Sequence, residues 1–257
     1  MSSTFDAFAR YYDLLYADKD YAGEAAYVLD LAYSHMDRSG TTAPLQILEL
    51  GCGTGRHAEH FVAAGCAVCG VDRSPGMVET AAERLRGMDA ARFEVGDATN
   101  LDLGQQFDLV VALFHVLSYQ TGDEAVAAFF RTAARHLKPG GVAVFDFWHG
   151  PGVLNDPPAT RVRRLASESL QVLRIAEPTV DSSLEVVEVN YTLFSQLTGE
   201  EHWHCAQESH RMRYFFLPEL SEFMGAAGLF PIKYLPWKRL DGDPSQKDWN
   251  AVLVAHG

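Results

Sequence analysis

The chain has 257 residues, 47% of them hydrophobic and 11% aromatic, and a formal net charge of −13. That is material for one large domain, or one domain with a sizeable insertion, around an ample core. The acidic balance argues against nucleic acid or an anionic membrane surface as the main partner, although a local pocket can still be basic enough for an anionic small molecule.

The start, MSSTFDAFARYYDLLY, lacks the basic region and apolar core of a secretory signal. No run of about 18 apolar residues suggests a membrane span. A cytoplasmic protein is therefore expected, and Cys52, Cys66, Cys69 and Cys205 fit that compartment as reduced thiols. From Asp20 to Met36 the spacing is helical, with Ala22, Ala25, Ala26, Leu29 and Tyr33 on overlapping faces. RSGTTAP is a loop by composition, LQILEL a strand, Arg56 to Ala64 a helix and AVCGVD a second strand. The C-x-x-C of Cys66 and Cys69 falls in that buried strand, with no second pair to complete a metal site, and reads as core.

SPGMVETAAERLRG carries a serine cap, a proline at the first helical position and an apolar stripe through Met77, Ala81 and Leu85. ARFEVGDA is a third strand. FDLVVALF is a fourth, with the continuous apolar character of a strand covered on both faces. DEAVAAFFRTAARHLKPGG reads as a helix ended by Pro139 and two glycines, and GVAVFDFW as a fifth strand. Strands alternating with helices over Leu45 to Trp148 predict a parallel sheet with helices on both sides. Ligands of such sheets sit beyond the carboxyl ends of the strands. That rule gathers the turn after Leu50, Asp72, Asp97, Phe114–Tyr119 and Asp146–His149 on one rim.

After Pro151 the pattern changes. Short alternating stretches, such as Val187, Val189 and Tyr191 on one face, predict three or four antiparallel strands added as a cap. PELSEFMGAAGL then reads as an amphipathic helix, and IKYLPW and WNAVLVAHG as closing strands. The expected division is a core over residues 1–150 with an N-terminal helical lid, an inserted cap over 151–216, and a last helix and strands over 217–257 that complete the core.

The turn in ILELGCGTGRHAEHF could serve a dinucleotide, S-adenosylmethionine or a bare phosphate. Gly51 and Gly53 let backbone approach a ligand where a Cβ would collide, and Asp72 at the next strand tip can grip two ribose hydroxyls. Three details separate the readings. The glycines run G-x-G-x-G, with Arg56 where a dinucleotide turn wants a small residue. Glu49 stands just before the turn. Asp97–Ala98, at the third strand tip, is placed for an adenine amino group, with Met77 against the ring face.

LELGCGTG, VDRSPGM, GDA and LKPGG, in this order, resemble the class I S-adenosylmethionine-dependent methyltransferases. The resemblance implies a doubly wound, Rossmann-like, seven-stranded α/β sheet whose last strand is antiparallel, here with the β cap. It implies S-adenosylmethionine as methyl donor and S-adenosylhomocysteine as product. Gly51 and Gly53 would pass closest to the methionine part, Asp72 and its neighbour Arg73 would lie at the ribose, and Met77, Asp97 and Ala98 at the adenine. YYDLLYADKDY, ESHRMRYF and PELSEFMGAAGL resemble methyltransferases of nucleotide-linked sugars, especially the N,N-dimethyltransferases acting on dTDP-amino-sugars. FHVLSYQ, FDFWHGPGVL and RIAEP also resemble methyltransferases of surface-polysaccharide pathways. By that resemblance Tyr12 and Tyr21 would close over the donor, with Tyr12 also reaching the acceptor. Phe114 and His115 would line the donor side, Tyr119 would face the acceptor, and Asp146 and Trp148 would wall the sugar pocket. The amino-sugar enzymes have a histidine at the position aligned with Tyr119.

A sulfonium methyl is already activated, so the chemistry asks for alignment of an amine or hydroxyl lone pair, and a hydroxyl usually needs a base as well. His115, Tyr119 and His149 are the rim candidates, with His115 and Tyr119 chosen as catalytic. His210 reads either as a substrate contact or as a residue holding the cap strands, and Tyr11, Tyr12 and Tyr16 either as lid or as a core stripe. Arg161, Arg163 and Arg164 could meet a diphosphate or edge a solvated strand. Trp148 and Trp237 could flank a sugar or nucleobase, or fill the core. No metal cage is expected, because the Asp and His residues are dispersed. The expected function is methylation of a small molecule, most of all the amino group of a nucleotide-linked sugar. O-methylation of a sugar or metabolite is the alternative, followed by donor binding without catalysis. No nucleic-acid or membrane partner is expected, and the oligomeric state, a homodimer included, stays open.

Overall fold

A computed structural model describes residues 6–40, 42–168 and 170–257. The first five residues of the start, on which part of the leader reading rests, lie outside the described residues, as do Thr41 of the RSGTTAP loop and Ser169 of the cap.

Two helices, α1 (Asp6–Leu15) and α2 (Tyr21–His35), precede the sheet. Alternation then runs β1 (Gln46–Leu50), α3 (Arg56–Ala63), β2 (Ala67–Asp72), α4 (Pro75–Arg84), β3 (Ala91–Val95), β4 (Phe107–Ala112), α5 (Asp123–His136) and β5 (Leu137–Trp148). After the cap come α7 (Leu217–Ala227), β10 (Phe230–Pro236) and β11 (Asn250–His256). The seven strands lie in the order β3-β2-β1-β4-β5-β11-β10, and β11 is antiparallel to both of its neighbours. Continuous apolar runs mark the central strands because both faces are covered: Ile47, Leu48 and Leu50 are each 0% exposed. One face packs Phe129 and Phe130 of α5 and Met224 of α7, and the other packs Val28 and Leu31 of α2 and Phe61 of α3. All five parallel strands end on the same rim, as the alternation predicts.

The LKPGG segment departs from expectation. Helix α5 stops at His136, and Leu137 is already extended (φ −90°, ψ 130°), pairing with Phe107. The residue before a proline avoids helical geometry, so Lys138 is held extended and Leu137 follows it into the strand. Gly140 (φ +77°) takes up the resulting irregularity in the β4–β5 register. Two short elements had no clear sequence signal: a 3-10 turn at Leu117–Tyr119 and α6 (Gly150–Asn155).

The cap is a four-stranded antiparallel meander, β6 (Arg161–Ala166), β7 (Leu170–Asp181), β8 (Val186–Leu197) and β9 (His204–Arg213). Val187, Val189 and Tyr191 do share one face, which packs on Val153, Trp148 and Tyr214. Further along the same sheet, Val172 and Leu193 cover Leu15 and Tyr16 of the N-terminal lid. Arg163 fixes that lid by donating to Leu15 O at 3.0 Å and pairing with Asp18 at 2.9 Å. It is thus a tether, whereas Arg161 and Arg164 are exposed.

One clamp between cap and core is ionic. Arg213, at the end of β9, donates to Asp123 in the first turn of α5 (2.6 Å) and to Glu219 in the first turn of α7 (2.7 Å). Its third partner is Glu185, in the β7–β8 turn, at 3.4 Å. Glu219 also accepts the Phe216 N–H at 2.7 Å, satisfying the N-cap donor at the start of α7.

Candidate active site

A cavity of about 370 Å³ opens between the carboxyl rim of the sheet and the inner face of the cap. The core contributes Gly51, Gly53, Asp72, Arg73, Met77, Asp97 and Ala98. Tyr12, Tyr16 and Tyr21 close it from the N-terminal helices, and Tyr191, His210 and Met212 from the cap.

At one end the glycine turn does what its spacing suggests. Gly51 has φ +74°, and a Cβ there would stand 2.4 Å from Val116 Cγ2. Gly53 has φ +53° with nothing within 4 Å of a Cβ, so any side chain would project into the cavity. The Asp72 carboxylate accepts from the N–H groups of Gly53 and Ser74, both at 2.9 Å. Burial raises its pKa, and these backbone donors act against that rise. The turn and the strand tip are therefore one rigid unit. Asp97 Oδ1 accepts from the backbone and hydroxyl of Thr99 at 2.8 and 2.7 Å, which sets its orientation on the wall.

Beside the turn lie Tyr21 Oη and Arg56 Nε, buried without hydrogen-bond partners, on two cavity-lining residues. A phenol and a guanidinium with unused donors suit an anionic carboxylate, and Asp72 suits a diol. These groups, with the cradle at Gly53, fit S-adenosylmethionine. Glu49 is not on the wall: it is 1% exposed, and its Oε1 lies 3.6 Å from His57 Nδ1. His57 also meets Glu24 at 2.9 Å. Burial disfavours charge on His57, yet its contacts with Glu24 and Glu49 outweigh burial and raise its pKa. Burial likewise raises Glu49, against the pull of His57. Glu49 thus supports the floor of the turn through His57.

The other end is built from less local pairings. Phe114 (φ 63°) and His115 (φ 67°) are consecutive non-glycine residues in left-handed geometry just past β4. Such geometry costs about 1–3 kcal/mol per residue. Asp146 holds it, accepting the His115 N–H at 3.0 Å, with its other oxygen 2.8 Å from His115 Nδ1 though not aligned as a hydrogen bond. Asp146 is 1% exposed and lies beneath His115, so it supports the wall and does not face the cavity. Trp148 does line the cavity, edge-on to Trp249 at 5.2 Å. Trp249 and Asn250 were not singled out by the sequence. Trp237 instead packs on Tyr27 in the core, and His149 is buried with Nδ1 3.1 Å from Asp248 O. Burial lowers the His149 pKa, and its ring is off the cavity wall.

Tyr119 and His210, expected from different parts of the chain, meet: Tyr119 Oη lies 2.8 Å from His210 Nδ1. His210 Nε2 lies 3.1 Å from Glu208 Oε2. Tyr12 and Tyr16 stack at 4.8 Å and reach Phe114 edge-on, so both belong to the cavity. Tyr11 turns the other way, accepting from Ser195 Oγ at 2.8 Å on the cap.

Among the described residues no cluster could hold a metal ion, and no helix is long and apolar enough to cross a membrane. A seven-stranded sheet with one antiparallel strand, a glycine turn under a strand-tip aspartate and a covered cavity together define an S-adenosylmethionine-dependent methyltransferase. Comparison with known proteins places the chain in that family. The methyltransferase-domain family profile matches residues 47–141. The dTDP-3-amino-3,4,6-trideoxy-alpha-D-glucopyranose N,N-dimethyltransferase of Streptomyces venezuelae is 32% identical over 238 residues, covering 91% of this chain and 92% of that protein. The dTDP-3-amino-3,6-dideoxy-alpha-D-glucopyranose N,N-dimethyltransferase of Streptomyces fradiae is 27% identical, covering 89% and 85%. Among solved structures, Streptomyces venezuelae DesVI is 26% identical with a TM-score of 0.79, over 97% of this chain and 98% of that one. The chain belongs to the class I S-adenosylmethionine-dependent methyltransferases and resembles their amino-sugar N,N-dimethyltransferases.

Proposed function

We propose that this enzyme methylates the amino group of a nucleotide-linked sugar. The observation that carries the reading is the 32% identity to an amino-sugar N,N-dimethyltransferase across nine-tenths of both chains, cap included. S-adenosylmethionine, when bound, supplies an electrophilic methyl on sulfur. Arg56 and Tyr21 would hold its carboxylate, Asp72 its ribose, and Met77, Asp97 and Ala98 its adenine, with Arg73 at the mouth. Tyr12 and Phe114 would screen the reacting methyl from water, and Tyr119, Trp148 and His210 would orient the acceptor. The cysteines Cys52, Cys66, Cys69 and Cys205 are free thiols, in keeping with a reducing, cytoplasmic setting. O-methylation is the second reading, favoured by one observation: an imidazole, that of His115, lines the cavity where a hydroxyl acceptor would need a base.

Incubation with S-adenosylmethionine and a panel of dTDP- and UDP-linked amino and neutral sugars tests both. A gain of one or two methyl masses on amino sugars alone is expected. Methylation of neutral sugars would shift the assignment to oxygen, and no mass change with any sugar would remove the nucleotide-sugar reading. Asp72→Ala should raise the donor dissociation constant roughly 30- to 150-fold, the loss of two charge-assisted hydrogen bonds at about 1.5 kcal/mol or somewhat less each. Unchanged affinity by titration calorimetry would displace the ribose from Asp72.

A further inference from the structure

We propose that Tyr119, His210 and Glu208 form a proton relay that carries away the proton released when the acceptor nitrogen is methylated. The proposal rests on the amine acceptor given above. Glu208 and His210 are two apart on β9 and so share the inner face of the cap, while Tyr119 comes from the 3-10 turn after β4. The contacts run Tyr119 Oη to His210 Nδ1 (2.8 Å) and His210 Nε2 to Glu208 Oε2 (3.1 Å). Tyr119 and His210 line the cavity, and the side chains of His210 and Glu208 are each only 7% exposed. Tyr191 stands edge-on to the imidazole at 5.0 Å and fixes its plane.

The directions follow from donor and acceptor chemistry. An ionised carboxylate only accepts, so Glu208 fixes the proton of a neutral His210 on Nε2. Nδ1 is then the acceptor, and the Tyr119 hydroxyl must donate to it. The second carboxylate oxygen, Glu208 Oε1, is buried with no hydrogen-bond partner. That oxygen keeps its acceptor capacity, so the carboxylate can go on accepting from Nε2–H whichever proton Nδ1 carries. Burial raises the Tyr119 pKa well above that of a free phenol, so a standing tyrosinate is not the base. The proton must pass through the hydroxyl in one movement.

In the step, the acceptor nitrogen lone pair forms the N–C bond as the C–S bond breaks and its electron pair stays on sulfur. The new ammonium gives its proton to Tyr119 Oη while the phenol proton moves to His210 Nδ1. His210 becomes an imidazolium paired with Glu208 and releases the proton to water when the cavity opens. Tyr119 is the catalytic residue, while His210 and Glu208 act through it as positioning residues.

Two measurements decide. The first needs no acceptor: histidine side-chain 15N–1H correlation spectra of the resting protein, with His210→Gln to assign the signal. The Nε2–H tautomer is expected, and the Nδ1–H tautomer would overturn the relay because the hydroxyl would then be the acceptor. The second uses steady-state methylation of a dTDP-3-amino sugar. Tyr119→Phe should lower kcat about 100-fold and Glu208→Gln about 10-fold, within the range of general-base effects, with donor affinity unchanged. The double variant should be no slower than Tyr119→Phe alone, because groups acting in series are not additive. Multiplying losses, or a Glu208→Gln variant at wild-type kcat, would overturn it. A wild-type protein with the Nε2–H tautomer that leaves amino sugars unmethylated would sink the amino-sugar reading and leave the relay geometry standing.

Discussion

Alanine at position 51 should leave a folded protein that no longer binds the methyl donor measurably. Gly51 sits at φ +74°, where an L side chain costs about 1–2 kcal/mol. The added methyl would also meet Val116 at 2.4 and 2.9 Å, two branches of a stiff side chain. Overpacking of this kind costs about 1–3 kcal/mol. The chain can relieve both only by moving the turn, and the turn is tied to Asp72 through Gly53 and to Val71 O through the N–H groups of Gly51 and Cys52. Donor titration and thermal melting together check this. The companion Gly51→Ala/Val116→Ala should recover the steric part and not the conformational part. Full donor affinity in the single variant would mean that the cradle is not where donor binds.

Arg213→Met is expected to cost about 2–4 kcal/mol of stability, in the lower part of the range for breaking a buried ion pair because its partners are partly solvated. The guanidinium is 10% exposed and is shared among Asp123, Glu185 and Glu219. Without it, Glu185 and Glu219 repel at the junction of cap and core, and Glu219, whose pKa burial raises and Arg213 lowers, loses its main counter-charge. A melting temperature lower by roughly 5–15 °C should follow for a domain of this size. Reversal of most of the loss by Glu219→Gln in the same chain would tie the effect to charge. A melting temperature within one degree of wild type would show the clamp to be idle.

The donor half of the site was legible because its signals are local. A glycine turn, an aspartate ending the next strand and a serine–proline helix start are each set by neighbours in sequence, and strand alternation brings them together without further assumptions. The acceptor half depends on pairings across the chain. Tyr119 and His210 are 91 residues apart and meet only because the cap folds over the rim. Asp146 was expected beside Trp148 and shares its side of β5, but two residues of strand set it about 7 Å deeper, where His115 covers it. Glu208 left a faint trace, a carboxylate two before His210 and four before Met212, in step with the inward-facing positions of the strand. Trp249 left none that distinguishes it from Trp237. The 3-10 turn carrying Tyr119 is too short to have a period.

The cap meets the core along an apolar seam, with Tyr119 and His210 joined across it. Its strands hydrogen-bond to one another, among the described residues an isolated bridge joins His149 and Phe215 beside the core sheet, and Arg213 latches the end of β9. The residues proposed for the donor lie on the core and lid side of that seam, and those proposed for the acceptor straddle it, with Tyr119 and Trp148 on the core and His210 on the cap. Exchanging the segment from α6 to Arg213 between homologues, with Asp123 and Glu219 kept on the core and Glu185 and Arg213 kept in the graft, is expected to change which acceptor gains methyl mass while donor affinity by titration stays the same.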